Sequence, residues 1–121
     1  MRFVLDGEVA CKKNSVRFNG RTGMCYKSKR FKSWHESAIL QVRSQEVPRT
    51  PIERYEARFT LYHGTLRRVD SDNQVTSLLD LLQDAGVVKD DCWTCVSKKV
   101  IEDVYRKNDP GAVIEILPVD F

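Results

Sequence analysis

The sequence predicts one α+β domain over residues 1–121, a mixed or antiparallel sheet carrying two main helices. Three observations predict it. Residues Tyr55 to Leu61 alternate apolar and polar side chains, the period of a half-buried strand. Two stretches, Phe31 to about Glu46 and Val75 to Ala85, repeat apolar residues at helical spacing. The chain then closes on β-branched runs separated by a turn, Lys107-Asn108-Asp109-Pro110-Gly111. At 121 residues, 41% hydrophobic and 31% charged, it can build a single core and has no room for a linker.

Phe3 and Leu5 alternate with Arg2, Val4 and Asp6, which predicts a first strand with one buried face. Val16-Arg17-Phe18 and Met24-Cys25-Tyr26 flank Asn19-Gly20, a strong turn signal, and predict a hairpin in which Phe18 and Tyr26 pack as cross-strand partners. Phe31, Trp34, Ala38 and Val42, with Ile39 beside them, define the first helix, and Pro48 and Pro51 end it. His35 falls on its apolar edge, where packing is the expected role. Tyr55, Ala57, Phe59 and Leu61 form the next strand, which leads through a loop at His63 to Leu66 into Arg67. Val75, Leu78, Leu79, Leu82 and Ala85 predict a second helix of about 13 residues, capped by Asp72 or Asn73 and ended at Gly86. From Trp93 to Tyr105, Val96, Val100 and Val104 fall on one parity, with Cys95, Ile101 and Tyr105 mixed on the other. A bulge near Lys98-Lys99 reconciles the two patterns. This strand and Ala112 to Leu117 are expected to pair as an antiparallel hairpin.

The chemistry gathers around the second helix. Arg67-Arg68-Val69-Asp70-Ser71-Asp72-Asn73 precedes it and Lys89-Asp90-Asp91 follows it. Asp70 and Asp72 are expected in an extended segment that points both carboxylates to one side, where they repel unless a cation lies between them. A helix of that length is roughly 20 Å long. The two acidic pairs therefore meet only if Val87-Val88 returns beside it. Oxygen-only ligands at this density suit Mg²⁺ or Mn²⁺, the ions of metal-assisted phosphodiester hydrolysis. Each aspartate alone also suits a helix cap or a solvated turn.

Net charge is a modest +3, but its distribution is not even. From Lys12 to Lys32 lie eight cations (Lys12, Lys13, Arg17, Arg21, Lys27, Lys29, Arg30, Lys32) and no Asp or Glu. Cations crowded on one ribbon repel unless something anionic offsets them, and the DNA backbone is the expected partner. Arg67 and Arg68 suit either ion pairs with the neighbouring carboxylates or phosphate contacts.

Other site classes fit poorly. Asp70-x-Asp72-x-Gln74 begins like a calcium loop, yet Val75 stands where the sharp turn needs Gly and Leu81 where a bidentate Glu belongs. Cys92-Trp93-Thr94-Cys95 is a lone pair opening a strand, with Cys11 and Cys25 far away, so free thiols are expected rather than zinc or thioredoxin-like chemistry. His35 and His63 have no second nitrogen ligand at useful spacing. No apolar run is long enough to span a membrane, and Met1-Arg2-Phe3-Val4-Leu5-Asp6 reaches a charge too early for a secretory signal. The expected location is the cytoplasm.

The run Arg-Arg-Val-Asp70-Ser-Asp72-Asn73, the helical Asp80, and Ala-Gly-Val-Val-Lys-Asp90-Asp91 resemble the RusA family of phage-type Holliday junction resolvases. More loosely, Gly7 to Phe31 is similar to the basic N-terminal hairpin of phage members. The resemblance implies a RusA-like fold and a homodimeric, Mg²⁺-dependent endonuclease of four-way DNA junctions. It implies Asp70, Asp72 and Asp91 as the acidic triad holding the metal and Asp90 as a further carboxylate beside it, with Asn73 and Lys89 supporting. Lys12, Lys13, Arg17, Arg21, Lys27, Lys29, Arg30, Arg67 and Arg68 would contact DNA. One departure stands out: the family lysine one turn after the second aspartate is Thr76 here. Lys89 or Lys98 are the expected substitutes for its charge. A junction-binding protein that cuts slowly or not at all is the alternative, and a structural protein whose acidic cluster binds no metal is a third.

Overall fold

The computed structural model describes residues 1–11 and 29–120 in full and, between them, the backbone of strands 16–19 and 24–27. In chain order the elements are β1 (Arg2–Asp6), β2 (Val16–Asn19), β3 (Met24–Lys27), α1 (Lys29–Arg43), β4 (Tyr55–His63), α2 (Ser71–Asp84), β5 (Val96–Tyr105) and β6 (Gly111–Pro118). The α+β prediction holds: a four-stranded mixed sheet in the order β1-β6-β4-β5 carries both helices, and β2 and β3 form a separate two-stranded ribbon. Tyr55, Ala57, Phe59 and Leu61 of β4 are buried, as their alternation predicts, and they pack with Leu78, Leu81 and Leu82 of α2 and Ala38 and Val42 of α1 in one core. No helix of the described residues is long and apolar enough to cross a membrane.

The predicted β5–β6 hairpin does not form. β5 pairs in parallel with β4, while β6 lies between β4 and β1 and is antiparallel to both. Composition explains the exchange. β6 buries Gly111, Ala112, Val113, Ile114 and Ile116, so it belongs at the centre, whereas Lys98, Lys99, Glu102 and Asp103 suit β5 to an edge. The 106–110 turn steps across the end of β4, with Arg106 N–H donating to His63 O and Asn108 N–H to Gly64 O. Gly111 is needed there, since a Cβ would stand 2.6 Å from Leu5 O.

Smaller differences follow the same logic. β4 continues through His63, which was expected in a loop. The register shift opposite Tyr55/Glu56 puts the β5 irregularity at Ser97, one residue before its expected place. In the ribbon Phe18 faces Cys25 and Arg17 faces Tyr26, so Phe18 and Tyr26 are not opposite one another. The two outer edges of the main sheet also differ. On β1, Gln45 accepts from Val4 N–H (2.9 Å) and donates to Val4 O (2.8 Å), and Gln41 accepts from Asp6 N–H (2.8 Å). Side chains of α1 and the residues after it thus take the place of a further strand.

Candidate active site and nucleic-acid interface

β4, α2 and β5 form a strand–helix–strand crossover, and the acidic motif occupies its two ends. At the first end Asp70 is the helix cap: its backbone is extended (φ −87°, ψ 109°) and its carboxylate accepts from Asp72 N–H at 3.0 Å. The cap is therefore Asp70, not Asp72 or Asn73. Asp72 lies inside the first helical turn rather than in an extended segment, so the pair does not share a strand face. Both carboxylates are exposed where the helix dipole favours negative charge. Asn73 sits half-buried in the same turn.

This end is tied down by residues that sequence reasoning missed. Ser71 Oγ donates to both oxygens of Asp103 (2.9 and 3.0 Å), and His63 Nε2 lies 2.7 Å from the same carboxylate, which locks the start of α2 to the end of β5. Buried Gln74 donates to Val9 O at 3.1 Å. Glu8 bridges two cations, Arg67 at 2.6 Å and Arg30 at 3.2 Å. That bridge joins the start of α1 to the Asp70 loop. Nothing in the periodicity of residues 6–11 marks Glu8, and Gln74 reads as an ordinary polar helix position.

At the other end Gly86, at φ 81°, stops α2, and Val87 N–H returns to Leu82 O at 2.9 Å. Val87-Val88 then lies beside Ile52 rather than along the helix, through Ile52 N–H to Val87 O (2.9 Å) and Lys89 N–H to Ile52 O (3.0 Å). Tyr55, the first residue of β4, donates its hydroxyl to Asp90 O at 2.9 Å. Burial, and then the nearby Asp91 carboxylate, push the Tyr55 phenol well above its usual range. Asp90 Oδ1 accepts from Asp91 N–H at 2.7 Å, and both aspartates are exposed. Lys89 pairs with Glu53 at 3.3 Å.

The two acidic pairs are thus held apart within one chain. Asp90 and Asp91 stand at the start of β4, beside Tyr55, and Asp70 near its other end, where Ser71 is tied to Asp103 opposite Leu61; the 14-residue α2 between them spans roughly 20 Å. The expected convergence inside a single chain does not occur. Among the described residues, the one group of three potential ligands whose donor atoms lie within 4.8 Å of one another is His35, Asp80 and Asp84. There His35 stacks on Phe31 (5.4 Å) and reaches Asp84 at 2.7 Å, joining the helices to each other.

The predicted cations divide in the same way. Lys29, Arg30, Arg67 and Arg68 are exposed; Glu8 brings Arg30 and Arg67 together on the Asp70 side, where Arg67, Arg68, Ser71, Asp103 and Tyr105 line an open cleft of about 430 Å³. Lys12, Lys13 and Arg21 lie outside the described residues, as do the side chains of Arg17 and Lys27. Thr76 is exposed one turn after Asp72, with its hydroxyl turned back on Asp72 O at 3.0 Å. Lys98 faces a groove on the helix-free side of the sheet, beside Glu56 and Arg58.

Cys92 and Cys95 follow the second acidic pair as free thiols, with their sulfurs 3.5 Å apart. Hydrogen bonds with Thr94 and Cys95 lower Cys92, while the Cys92 hydrogen bond and burial raise Cys95. Two large apolar side chains flank the motif in the open: Leu66 (83% exposed) before Asp70 and Trp93 (76%) after Asp91.

No curated protein matches the sequence. The family model described as endodeoxyribonuclease RusA matches residues 6–117, which takes in the ribbon, both helices and every acidic residue described above. By that match the chain belongs to the RusA family of endodeoxyribonucleases, the Holliday junction resolvases.

Proposed function

We propose that the protein is a Mg²⁺-dependent endonuclease that resolves four-way DNA junctions, working as a homodimer in which each metal site takes carboxylates from both chains. The observation that carries this reading is the placement of two exposed acidic pairs at opposite ends of one helix in a member of a nuclease family. A two-fold pairing that runs the α2 helices antiparallel sets Asp70 and Asp72 of one chain beside the partner subunit's Asp90 and Asp91. Symmetry makes two such sites. Two sites suit a substrate that must be cut on two strands.

The donor set fits a hard divalent ion, since it consists of exposed carboxylate oxygens without nitrogen or sulfur ligands. Asp70, Asp72 and the partner subunit's Asp91 would hold it, with the partner subunit's Asp90 beside them; Mn²⁺ suits the same oxygens. When bound, the ion supplies an activated water and stabilises the leaving 3′ oxygen. Glu8 holds Arg30 and Arg67 against the Asp70 end. These cations and the others between Lys12 and Lys32 would position the phosphate backbone. Each neutralised phosphate should add about −0.9 to the slope of log affinity against log salt.

The test is cleavage of a synthetic four-way junction with Mg²⁺ or Mn²⁺, against linear duplex and against a chelator control. Junction cutting that requires the ion supports the reading. Tight binding without cutting in either ion favours a junction-binding protein, a second reading that rests on Thr76. Because the Thr76 hydroxyl only closes on its own helix, Thr76→Lys places a cation next to Asp72 without touching the core. The expected result is a cleavage rate raised roughly tenfold or more. A rate equal to the parent's would show that this position has no part in the chemistry.

A further inference from the structure

Resting on the homodimer reading above, we propose that two copies of the chain join through the free edge of β5, paired antiparallel about a two-fold axis normal to the sheet, with Val100 opposite the partner's Val100. The sheet would then run continuously through eight strands.

The first support is the contrast between the sheet's edges. On the β1 edge the outward N–H and C=O of Val4 and the N–H of Asp6 are answered by Gln45 and Gln41. β5 is ten residues long, pairs with β4 on its inner side, and has no strand on its outer side among the described residues. A long open edge is a template for another strand. Val104 (40% exposed) and Tyr105, beside that edge, are apolar surface left in water.

The second support is charge. Residues opposite one another in an antiparallel pair point to the same face, so a two-fold axis normal to the sheet allows registers centred on a single residue. Centring on Lys99 or Glu102 sets like charges against each other. Centring on Ile101 sets Lys98 against Val104 and relies on Asp103, which His63 and Ser71 already occupy. Centring on Val100 sets Lys98 against the partner's Glu102 and Glu102 against the partner's Lys98. Lys98 makes no ion pair among the described residues, and the exposed Glu102 meets Arg58 only at 3.4 Å.

The third support comes from the site. β5 begins just after the Cys92–Cys95 turn that follows Asp91, and near its end Asp103 holds Ser71, the neighbour of Asp70. Reversing one β5 against another therefore brings the Asp90/Asp91 end of each chain to the Asp70/Asp72 end of the other. A strand pairing chosen for its edge and its charges also joins the separated halves of the acidic motif.

The test is a disulfide across the axis. In a full-length background with Cys11, Cys25, Cys92 and Cys95 changed to Ser, Val100→Cys is treated with oxidised glutathione, beside Leu40→Cys, whose side chain is 71% exposed on α1. The expected result is a covalent dimer from Val100→Cys that forms much faster than any from Leu40→Cys. Lys98→Glu should weaken dimerisation by roughly tenfold or more, and Lys98→Glu/Glu102→Lys should restore it. Equal cross-linking at both positions, or no rescue by the double exchange, overturns the proposal. Cleavage by the unmodified protein separates this result from the nuclease reading: metal-dependent cutting by a dimer that fails to cross-link at Val100 removes the interface and keeps the enzyme. Cross-linking without cutting does the opposite.

Discussion

Asp70→Asn is expected to stop junction cleavage, lowering the rate on the order of 10³-fold or more, while the fold and junction binding survive. The Asn side chain keeps an oxygen to accept the Asp72 N–H that Asp70 now caps at 3.0 Å, so the start of α2 remains closed. What it lacks is the negative charge that a divalent ion needs. Asp91→Asn should act alike, because Asp91 is exposed and holds no other element in place through a described side-chain contact. Gel-shift binding at low salt together with cleavage of labelled junctions separates the two effects. Loss of binding in step with cutting would make these aspartates structural.

Phe59→Ala is expected to be the most damaging single change to the fold. Phe59 is fully buried at the middle of β4, between β5 and β6, and it packs in the core beneath both helices. Removing a buried aromatic ring costs about 3–5 kcal/mol, a large part of the roughly 5–15 kcal/mol that holds a domain of this kind together. Thermal unfolding should shift down by more than about 10 °C. Because β4 spaces the two ends of the acidic motif, cleavage at 37 °C should fall with it. A shift of only a degree or two would mean that the core is centred elsewhere.

Local structure was legible where one face of an element meets the core. The alternation in β4 and the helical spacing of Val75, Leu78, Leu79 and Leu82 lead directly to buried faces, and Gly86 marks the end of α2. Strand order was harder to read, because the turn before Gly111 suggests a hairpin while the charges of β5 assign it to an edge, and burial outweighs proximity in sequence. At the site, the spacing of the acidic motif identified the family. It did not reveal that Asp72 is helical, since Asp70 can cap from one residue earlier than the spacing suggests. Nor did it show that Val87-Val88 turns away to Ile52, a long-range pairing without local pattern. Glu8 and Asp103 escaped notice for a similar reason: each acts through partners remote in sequence, Arg67 for Glu8 and Ser71 and His63 for Asp103.

Mixing two inactive variants tests most directly whether each metal site spans both chains. Asp70→Asn and Asp91→Asn are co-expressed so that heterodimers form, and nicking of a four-way junction is compared with each variant alone. If sites are shared, every heterodimer carries one site with both changes and one with neither, and a random mixture should recover on the order of a quarter of the parent's nicking. If the mixture stays as inactive as its components, while parent protein mixed with Asp70→Asn still nicks, the acidic pairs do not complete one another across the dimer.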